Sequence, residues 1–313
     1  MNLGRNKNRL AVLALITASV VSGANSPIAR YGLQSIPTAL FGLLRTTIPL
    51  VILGIFLLLR PRKSINKKQI ATAVVFGVLI YFSANGLFYL GVQRSGSVNA
   101  AVIGLLEPLL MFLVSVEVMK EKFNARVFIG IALAFVGSIF VVFGPMLLSK
   151  NLHFAGSLVG NLLLLGCVLA SISGTWVAKL GLKNVDRVQF LFWSLVPAVV
   201  LYGSMSAGQL RLLPGILQQP LLIYAVLFGA ILNGLLVYAC IFYGLKRVKG
   251  EEYGLFSYIT PATAAFVAVI FFGEKFTPAL LLGVTIIAMG LYLAEAHRSK
   301  VWHHKFHFLV RSK

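Results

Sequence analysis

Ten apolar stretches, each near the length of a membrane-crossing helix, alternate with short polar segments along the chain. A helix of about 20 residues crosses the ~30 Å of bilayer hydrocarbon, whereas a lone strand there cannot satisfy its backbone. The pattern therefore predicts an all-α polytopic membrane protein with ten transmembrane helices. We place these helices at residues 10–29, 38–59, 69–91, 98–118, 127–147, 156–177, 188–206, 220–244, 253–272 and 279–296.

Two of the apolar stretches repeat each other. LEPLLMFLVSVEVMKEKF at 106–123 and ITPATAAFVAVIFFGEKF at 259–276 both have a proline near the start and end in Glu-Lys-Phe. The same offset of 153 residues joins Pro108 to Pro261, Glu121 to Glu274, Gly130 to Gly283, and Gly137 to Gly290. The chain is therefore predicted to be an internal duplication with five spans in each copy. Because five is odd, the second copy starts on the opposite side of the membrane, which predicts two inverted five-helix repeats.

The predicted organisation has four parts. They are a cytoplasmic N-terminus at 1–9, a first repeat at 10–149, a second repeat at 153–296 and a basic cytoplasmic tail at 297–313. The first apolar stretch also looks like a secretory signal, with basic residues before it and small residues after it. However, IARYGL at 28–33 matches VAKLGL at 177–182, so the first helix has a counterpart and we expect it to be retained.

The distribution of charge sets the expected orientation. Only 12% of the residues are charged and 58% are hydrophobic, far from a soluble domain with about 25% charged residues. With the N-terminus inside, 22 of the 28 lysines and arginines lie in the termini and in the loops on the same side. Five lie outside, and Arg45 lies within a span. This asymmetry predicts a multi-pass protein of the cell (inner or plasma) membrane with both termini cytoplasmic, and it argues against nucleic acid as the reason for the net charge of +20.

Glu107 is the strongest candidate for function. A carboxylate inside an apolar span costs several kcal/mol unless it is protonated, paired or wet, so such residues are often functional. Pro108 beside it removes a backbone donor and can open carbonyls toward a cavity. Glu107 is predicted to contact a substrate ammonium group or to couple transport to protons. A packing role between helices is the structural alternative.

Arg45 is the second charged residue in a span. It could pair with Glu107, receive a substrate carboxylate or reach the headgroups, and a structural role is the favoured interpretation. Other polar and aromatic side chains within the predicted spans could together line a cavity for an amphiphilic solute, although for any single one the favoured interpretation is that it holds helices together or lies at an interface. These candidates are Asn25, Asn85, Tyr89, Trp176, Asn233, Tyr238 and Tyr258. Pro27, after Asn25, is predicted to break the first helix near its outer end.

The residues that carry the repeat resemble the EamA family of the drug/metabolite transporter (DMT) superfamily. In that family each half ends with a proline-bearing helix, a Gly-Glu turn and a glycine-spaced final helix. The chain has Pro108, Glu121, Gly130 and Gly137 in one half, then Pro261, Gly273, Glu274, Gly283 and Gly290 in the other. Arg45 matches an arginine common in the second span. Lys120 departs from the pattern, since a glycine usually precedes the glutamate, and we expect little consequence.

The resemblance implies a secondary active transporter that exports an amino acid, a metabolite or a toxic compound by alternating access, with no cofactor. The sequence agrees, because it contains no GxxxxGK[ST] phosphate-binding loop. Import or exchange of a metabolite by the same fold is the first alternative. A membrane adaptor acting through its tail and an intramembrane enzyme are weaker alternatives, since no HExxH or GxSxG occurs. The expected partners are a small solute, the lipid bilayer and possible coupling protons. The tail histidines lack cysteine or carboxylate neighbours, so no metal site is predicted.

Overall fold

The protein is helical throughout the part that the structure describes, a computed structural model covering residues 3–60, 64–149, 157–182, 185–248, 250–272, 278 and 281–294. The first seven α-helices are α1 Leu3–Ser35, α2 Thr38–Leu58, α3 Lys67–Gly77, α4 Asn85–Gly104, α5 Leu106–Glu117, α6 Ala125–Ser149 and α7 Leu158–Gly181. The other seven are α8 Arg187–Ser206, α9 Leu213–Leu217, α10 Pro220–Leu227, α11 Val237–Leu245, α12 Gly250–Phe256, α13 Ile259–Phe272 and α14 Leu281–Ala294. A short 3₁₀ segment, Ala207–Leu212, joins α8 to α9.

Within the described part of the chain, eight stretches of helix are long and apolar enough to cross a membrane. They run from Leu10–Ser35 to Pro220–Leu245 and correspond to the first eight predicted spans. The last two predicted spans correspond to shorter helices in the described residues, α13 with 14 residues and α14. The expectation of an all-helical membrane protein is therefore confirmed, whereas the number ten stays a prediction. The predicted tail at 297–313 lies outside the described residues.

The third and fourth spans are joined without the loop that the sequence suggests at 92–97, because helical hydrogen bonding runs from Asn85 to Gly104. The helix nevertheless bends there. Followed along α4, the contacts with α7 are Gly91 with Leu164, Ser95 with Ser157, and Asn99 with Asn161. The contacted residue numbers first fall and then rise, so α4 changes its direction relative to α7 near Ser95.

The first helix also differs from its prediction, because it continues through Pro27 to Ser35. A proline inside a helix removes one hydrogen bond and usually kinks or ends it. Here α1 packs along α11 and α13, and Gly23 lies so close to Thr260 that a Cβ at this position would be 2.5 Å from the Thr260 carbonyl oxygen. This close packing over many turns outweighs the lost bond.

Two stretches adopt the wide π-helical form, with about one extra residue per turn. The first π segment is Val78–Ala84, between α3 and α4, and the second is Phe228–Leu236, between α10 and α11. π-helical turns are rare and occur mostly at functional sites. The sequence pattern does not predict them, since their apolar residues suit an ordinary helix equally well.

The outside of the bundle is apolar, as a lipid-facing surface requires. On α2, Val51 and Ile55 are each 54% exposed, and Phe56 is 48% exposed. The inside contains a large aromatic cluster in which Phe76 packs 5.5 Å from Phe190 and 5.4 Å from Phe242, measured between ring centroids. An exposed apolar surface of this extent is stable only against lipid or another protein.

α6 and α14 cross through glycines. A Cβ at Gly130 would lie 2.7 Å from the carbonyl oxygen of Gly290, and a Cβ at Gly137 would lie 2.7 Å from that of Gly283. Close backbone approach through small residues is the usual way in which membrane helices pack tightly.

Gly137→Ala is therefore expected to lower the free energy of unfolding by about 1–3 kcal/mol, because the added methyl group must push two backbones apart. The measurement is the melting temperature and the yield of folded protein in detergent. Gly104→Ala is the matched control, since nothing lies within 4 Å of its Cβ position. Alanine favours helix over glycine by about 1 kcal/mol, so the control should be neutral or more stable. Equal behaviour of the two variants would contradict the tight crossing.

Candidate functional site

A cavity of about 710 Å³ lies in the middle of the bundle. Its walls come from α1, α4, α5, α7, α11, α12 and α13, and from both π segments. At one end it reaches the exposed side chains of Arg30, Tyr31 and Gln34. Toward the other end its lining stops at Leu15, on α1. We call that end the basic end, because lysine and arginine are frequent in the segments that follow α2, α5, α7 and α11.

Glu107 faces this cavity from the first turn of α5. The preceding helix ends at Gly104 and Leu105 forms a turn, so the chain restarts as a helix just before Glu107. Pro108 lies in the first turn, where a missing backbone N–H costs little. The carboxylate hydrogen-bonds the Ser171 side chain of α7. Among the described residues no lysine or arginine forms an ion pair with Glu107. The arrangement leaves a carboxylate in a membrane cavity, available to a ligand or a proton.

Five of the other predicted residues share the cavity lining with Glu107. They are Asn25, Asn85, Asn233, Tyr238 and Tyr258. The Asn233 side-chain oxygen accepts a hydrogen bond from the Ser22 hydroxyl at 3.4 Å. The buried Tyr258 hydroxyl has no hydrogen-bond partner in the described residues. An unpaired buried hydroxyl costs about 1–3 kcal/mol, so a polar group of a ligand would be stabilising there.

The remaining three candidates lie elsewhere. Trp176 is 36% exposed on the outer side of α7, which is the place of an aromatic residue that faces lipid or headgroups. Tyr89 is 1% exposed in an apolar cluster, with its ring packed edge-on against Phe41 at 5.6 Å. Arg45 is buried beside these rings and does not line the cavity. The structure thus brings together six of the nine residues that the sequence singles out.

The sequence also misses several lining residues. Tyr253 and Cys167 are close enough to Glu107 to interact with it electrostatically, and Ser171 bonds it directly. One signal could have found Ser171: it lies 149 residues after Ser22, the same offset that relates the first helices of the two repeats. Cysteine and tyrosine in apolar runs give no such signal, because buried packing is their ordinary role.

A second polar cluster lies at the basic end. The Glu121 carboxylate, in the segment after α5, accepts hydrogen bonds from the Ser115 hydroxyl and from the Lys179 ammonium of α7. The side chains of Lys179 and Glu121 are only 18% and 15% exposed. We call these three residues the Glu121 cluster. Because Glu121 lies in the first predicted repeat and Lys179 in the second, the cluster links the two halves of the chain.

In the described residues a helical bundle with eight candidate spans surrounds a central cavity that holds a carboxylate, an arrangement typical of membrane transport proteins. The model of the EamA-like transporter family matches this chain twice, over residues 9–143 and 158–295, and the chain belongs to that family. The family and its named relatives are transporters, which is consistent with a role other than that of an enzyme. The candidate spans and the family together indicate a multi-pass membrane protein with a small-molecule substrate.

Curated relatives cover nearly the whole chain at low identity. The uncharacterized transporter YetK of Bacillus subtilis strain 168 is 22% identical, with 90% of this chain and 86% of its own length covered. YrdR of the same strain, also an uncharacterized transporter, is 24% identical, with 93% and 92% covered. An S-adenosylmethionine/S-adenosylhomocysteine transporter of Chlamydia trachomatis is 24% identical, with 78% and 76% covered. A solved crystal structure shares the fold, with a TM-score of 0.71 over 91% of this chain and 98% of its own, at 16% identity.

Proposed function

We propose that this protein is a secondary active transporter that exports a small organic solute by alternating access. The observation that carries the proposal is the central cavity around Glu107, which reaches exposed residues at one end. In this proposal the Glu121 cluster closes the path to the cavity from the basic end. A transporter alternates between states that open to opposite sides of such a site. In this proposal the basic end faces the cytoplasm, because lysine and arginine collect on that side.

Glycine packing supports two inverted five-helix repeats. Gly130 and Gly283 occupy equivalent positions in the two copies, as do Gly137 and Gly290. The contacts join Gly130 to Gly290 and Gly137 to Gly283. The first glycine of each helix thus meets the second glycine of the other, so α6 and α14 run antiparallel. A two-fold axis perpendicular to the two helices relates them. Such an axis in the membrane plane is the one expected of an inverted repeat.

The third helices of the two halves give independent support. The π segments start 150 residues apart and end 152 residues apart, between the offsets of 149 and 153 residues that relate other parts of the two copies. Gly77 packs against the Ser194 backbone of α8, and Gly229 packs against the Arg45 side chain of α2. Arg45 and Ser194 are 149 residues apart, as equivalent positions in second helices should be. The third helix of each half thus packs against the second helix of the other half at equivalent positions.

Glu107 is the proposed principal site residue, with a cationic nitrogen of the solute or a coupling proton as its partner. Both interactions use the same chemistry, a carboxylate whose charge is stabilised only when a cation is near. The relative named for S-adenosylmethionine and S-adenosylhomocysteine supports the first partner, since both of those molecules carry an amino group. Asn85, Asn233 and Tyr258 would complete the polar lining.

Everted membrane vesicles test export directly, because their cytoplasmic face is outward. Vesicles from cells that contain the protein are incubated with a small-molecule extract of the same cells, and their contents are measured by mass spectrometry. We expect a solute to accumulate inside everted vesicles that contain the protein and not in vesicles from cells that lack it. Accumulation only in right-side-out vesicles would indicate import, and accumulation in neither would contradict transport.

The inverted-repeat topology makes its own prediction. Reporter domains fused within 60–68 and after residue 313 are expected to be cytoplasmic, and one fused within 148–155 is expected to be external. Paired alkaline phosphatase and fluorescent-protein fusions measure the two locations with opposite signals. Fusions at 60–68 and 148–155 that give the same location would exclude an odd number of spans between them and thus remove the inversion.

A further inference from the structure

Arg45 is a charged side chain that the proposed transport site does not use. It lies in the first half of α2, inside a span, and is 7% exposed. The guanidinium carbon lies 5.6 Å from the ring centroids of both Phe41 and Tyr89. Gly229 of the second π segment lies against its Nε, where a Cβ would be only 2.5 Å away. Rings and helix backbone thus enclose the guanidinium on three sides.

The guanidinium is not fully paired by the protein. Its Nε and Nη1 are buried and have no hydrogen-bond partner in the described residues. No described carboxylate forms an ion pair with it either. Each aromatic ring contributes about 0.5–2 kcal/mol of cation–π attraction, but rings accept no in-plane N–H bonds. A buried arginine without an anion is strongly disfavoured, so the site has the electrostatics of an anion receptor.

Three tyrosines lie within electrostatic range of this charge, and one of them also lines the cavity. Tyr238, Tyr202 and Tyr81 are the titratable groups that interact electrostatically with Arg45. Tyr202 donates its hydroxyl to the Phe82 carbonyl at 3.0 Å, and Tyr81 donates to the Gly234 carbonyl at 3.4 Å. Tyr238 lines the cavity and lies within electrostatic range of both Arg45 and Glu107. An anion in the cavity could therefore approach the guanidinium past Tyr238.

We propose that Arg45 and Tyr238 form an anion-binding subsite beside the central cavity, with the guanidinium supplying the charge and the phenol a further hydrogen bond. The ligand is a small monovalent anion, either a free halide or a carboxylate group of a larger solute. A planar guanidinium binds a carboxylate with two parallel hydrogen bonds and a halide with converging ones. The subsite does not depend on the proposed transport, because its test uses purified protein without solute.

The test is an anion titration of the purified protein at constant ionic strength. Its melting temperature is measured at each anion concentration. Sodium chloride and sodium acetate are titrated separately against the sodium salt of MES, a sulfonate too bulky for the subsite. A ligand that binds only the folded state raises the melting temperature in a saturable way. We expect such a rise for wild type with at least one of the two salts. Chloride alone would indicate a free inorganic anion, and acetate alone would indicate a solute carboxylate.

Three variants separate binding from packing. Arg45→Gln is expected to abolish the rise in melting temperature with salt. Tyr238→Phe, which keeps the ring, should raise the apparent Kd about 5- to 10-fold by removing one hydrogen bond. Arg60→Gln, just after the end of the same helix, is the control and should show the same salt dependence as wild type. A packing role for Arg45 alone predicts a lower melting temperature in every salt with the titration unchanged. That result, or a flat wild-type titration in both salts, would overturn the subsite. If Arg45→Gln does not fold, the apparent Kd of Tyr238→Phe compared with that of wild type decides whether the subsite exists.

Discussion

Glu107→Gln is expected to reduce solute flux by about 10- to 100-fold while the protein still reaches the membrane. A charge-assisted hydrogen bond contributes about 1.5–3 kcal/mol, and glutamine keeps the size and the bond to Ser171 but not the charge. The measurement is the initial rate of accumulation in everted vesicles, normalised to the amount of protein. Glu117→Gln is the matched control, because Glu117 is exposed on the same helix.

The pH dependence of the same flux separates the two roles of Glu107. If the carboxylate carries a coupling proton, wild-type flux changes with pH and the residual flux of Glu107→Gln does not. If it binds a solute cation, Glu107→Gln raises the KM for that solute. A variant with the rate, KM and pH profile of wild type would reduce Glu107 to a packing residue.

Breaking the Glu121 cluster should have the second large effect. Lys179→Met removes the ion pair between the Lys179 ammonium and the Glu121 carboxylate, a loss that we place at about 1–2 kcal/mol because the pair is partly exposed. A shift of this size changes the balance between two states about 5- to 30-fold. The cavity is then expected to become accessible from the basic end more of the time, and the transport rate should fall.

Alkylation of a single cysteine measures this shift. A cysteine replaces Ser22, which lines the cavity, in a background where Cys167 and Cys240 are replaced by alanine. A membrane-impermeant maleimide should label Ser22→Cys faster in everted vesicles when Lys179→Met is present. Exchange of the two charges, Glu121→Lys with Lys179→Glu, should restore slow labelling, whereas Lys122→Met serves as a nearby control. Unchanged labelling in Lys179→Met would show that the cluster does not close the basic end.

Much of the architecture follows from the sequence because two physical signals are strong. Apolar length alone locates the first eight spans, since lipid allows only a helix there. The 153-residue offset relates Pro108 to Pro261, and the helix restarts at Leu106 and at Ile259 with the same offset. A charge in an apolar run is expensive enough to single out Glu107, and it does face the cavity.

Features that depend on tertiary packing were not predictable. The first helix continues through Pro27, against the local rule, because α11 and α13 hold it in place. The π segments and the bend near Ser95 use residues that also suit an ordinary helix. Trp176 and Tyr238 are both aromatic residues in apolar runs, yet one faces outward and the other lines the cavity.

Lys120 shows how a departure from a pattern gains meaning from the backbone. Its φ is 54°, in the left-handed region, where the repeat's second copy has Gly273. A residue with a side chain is disfavoured there by about 1 kcal/mol relative to glycine. Lys120 therefore introduces a small local backbone strain next to Glu121. The same positive φ explains why glycine suits this position.

The central claim is that the cavity around Glu107 carries an exported solute. The most direct measurement compares all small molecules in the medium and in the cytosol of cells that express wild type, Glu107→Gln or Glu117→Gln. We expect one solute to accumulate in the medium with wild type and Glu117→Gln but not with Glu107→Gln. Identical medium and cytosol contents for all three, with each protein present in the membrane, would contradict the claim.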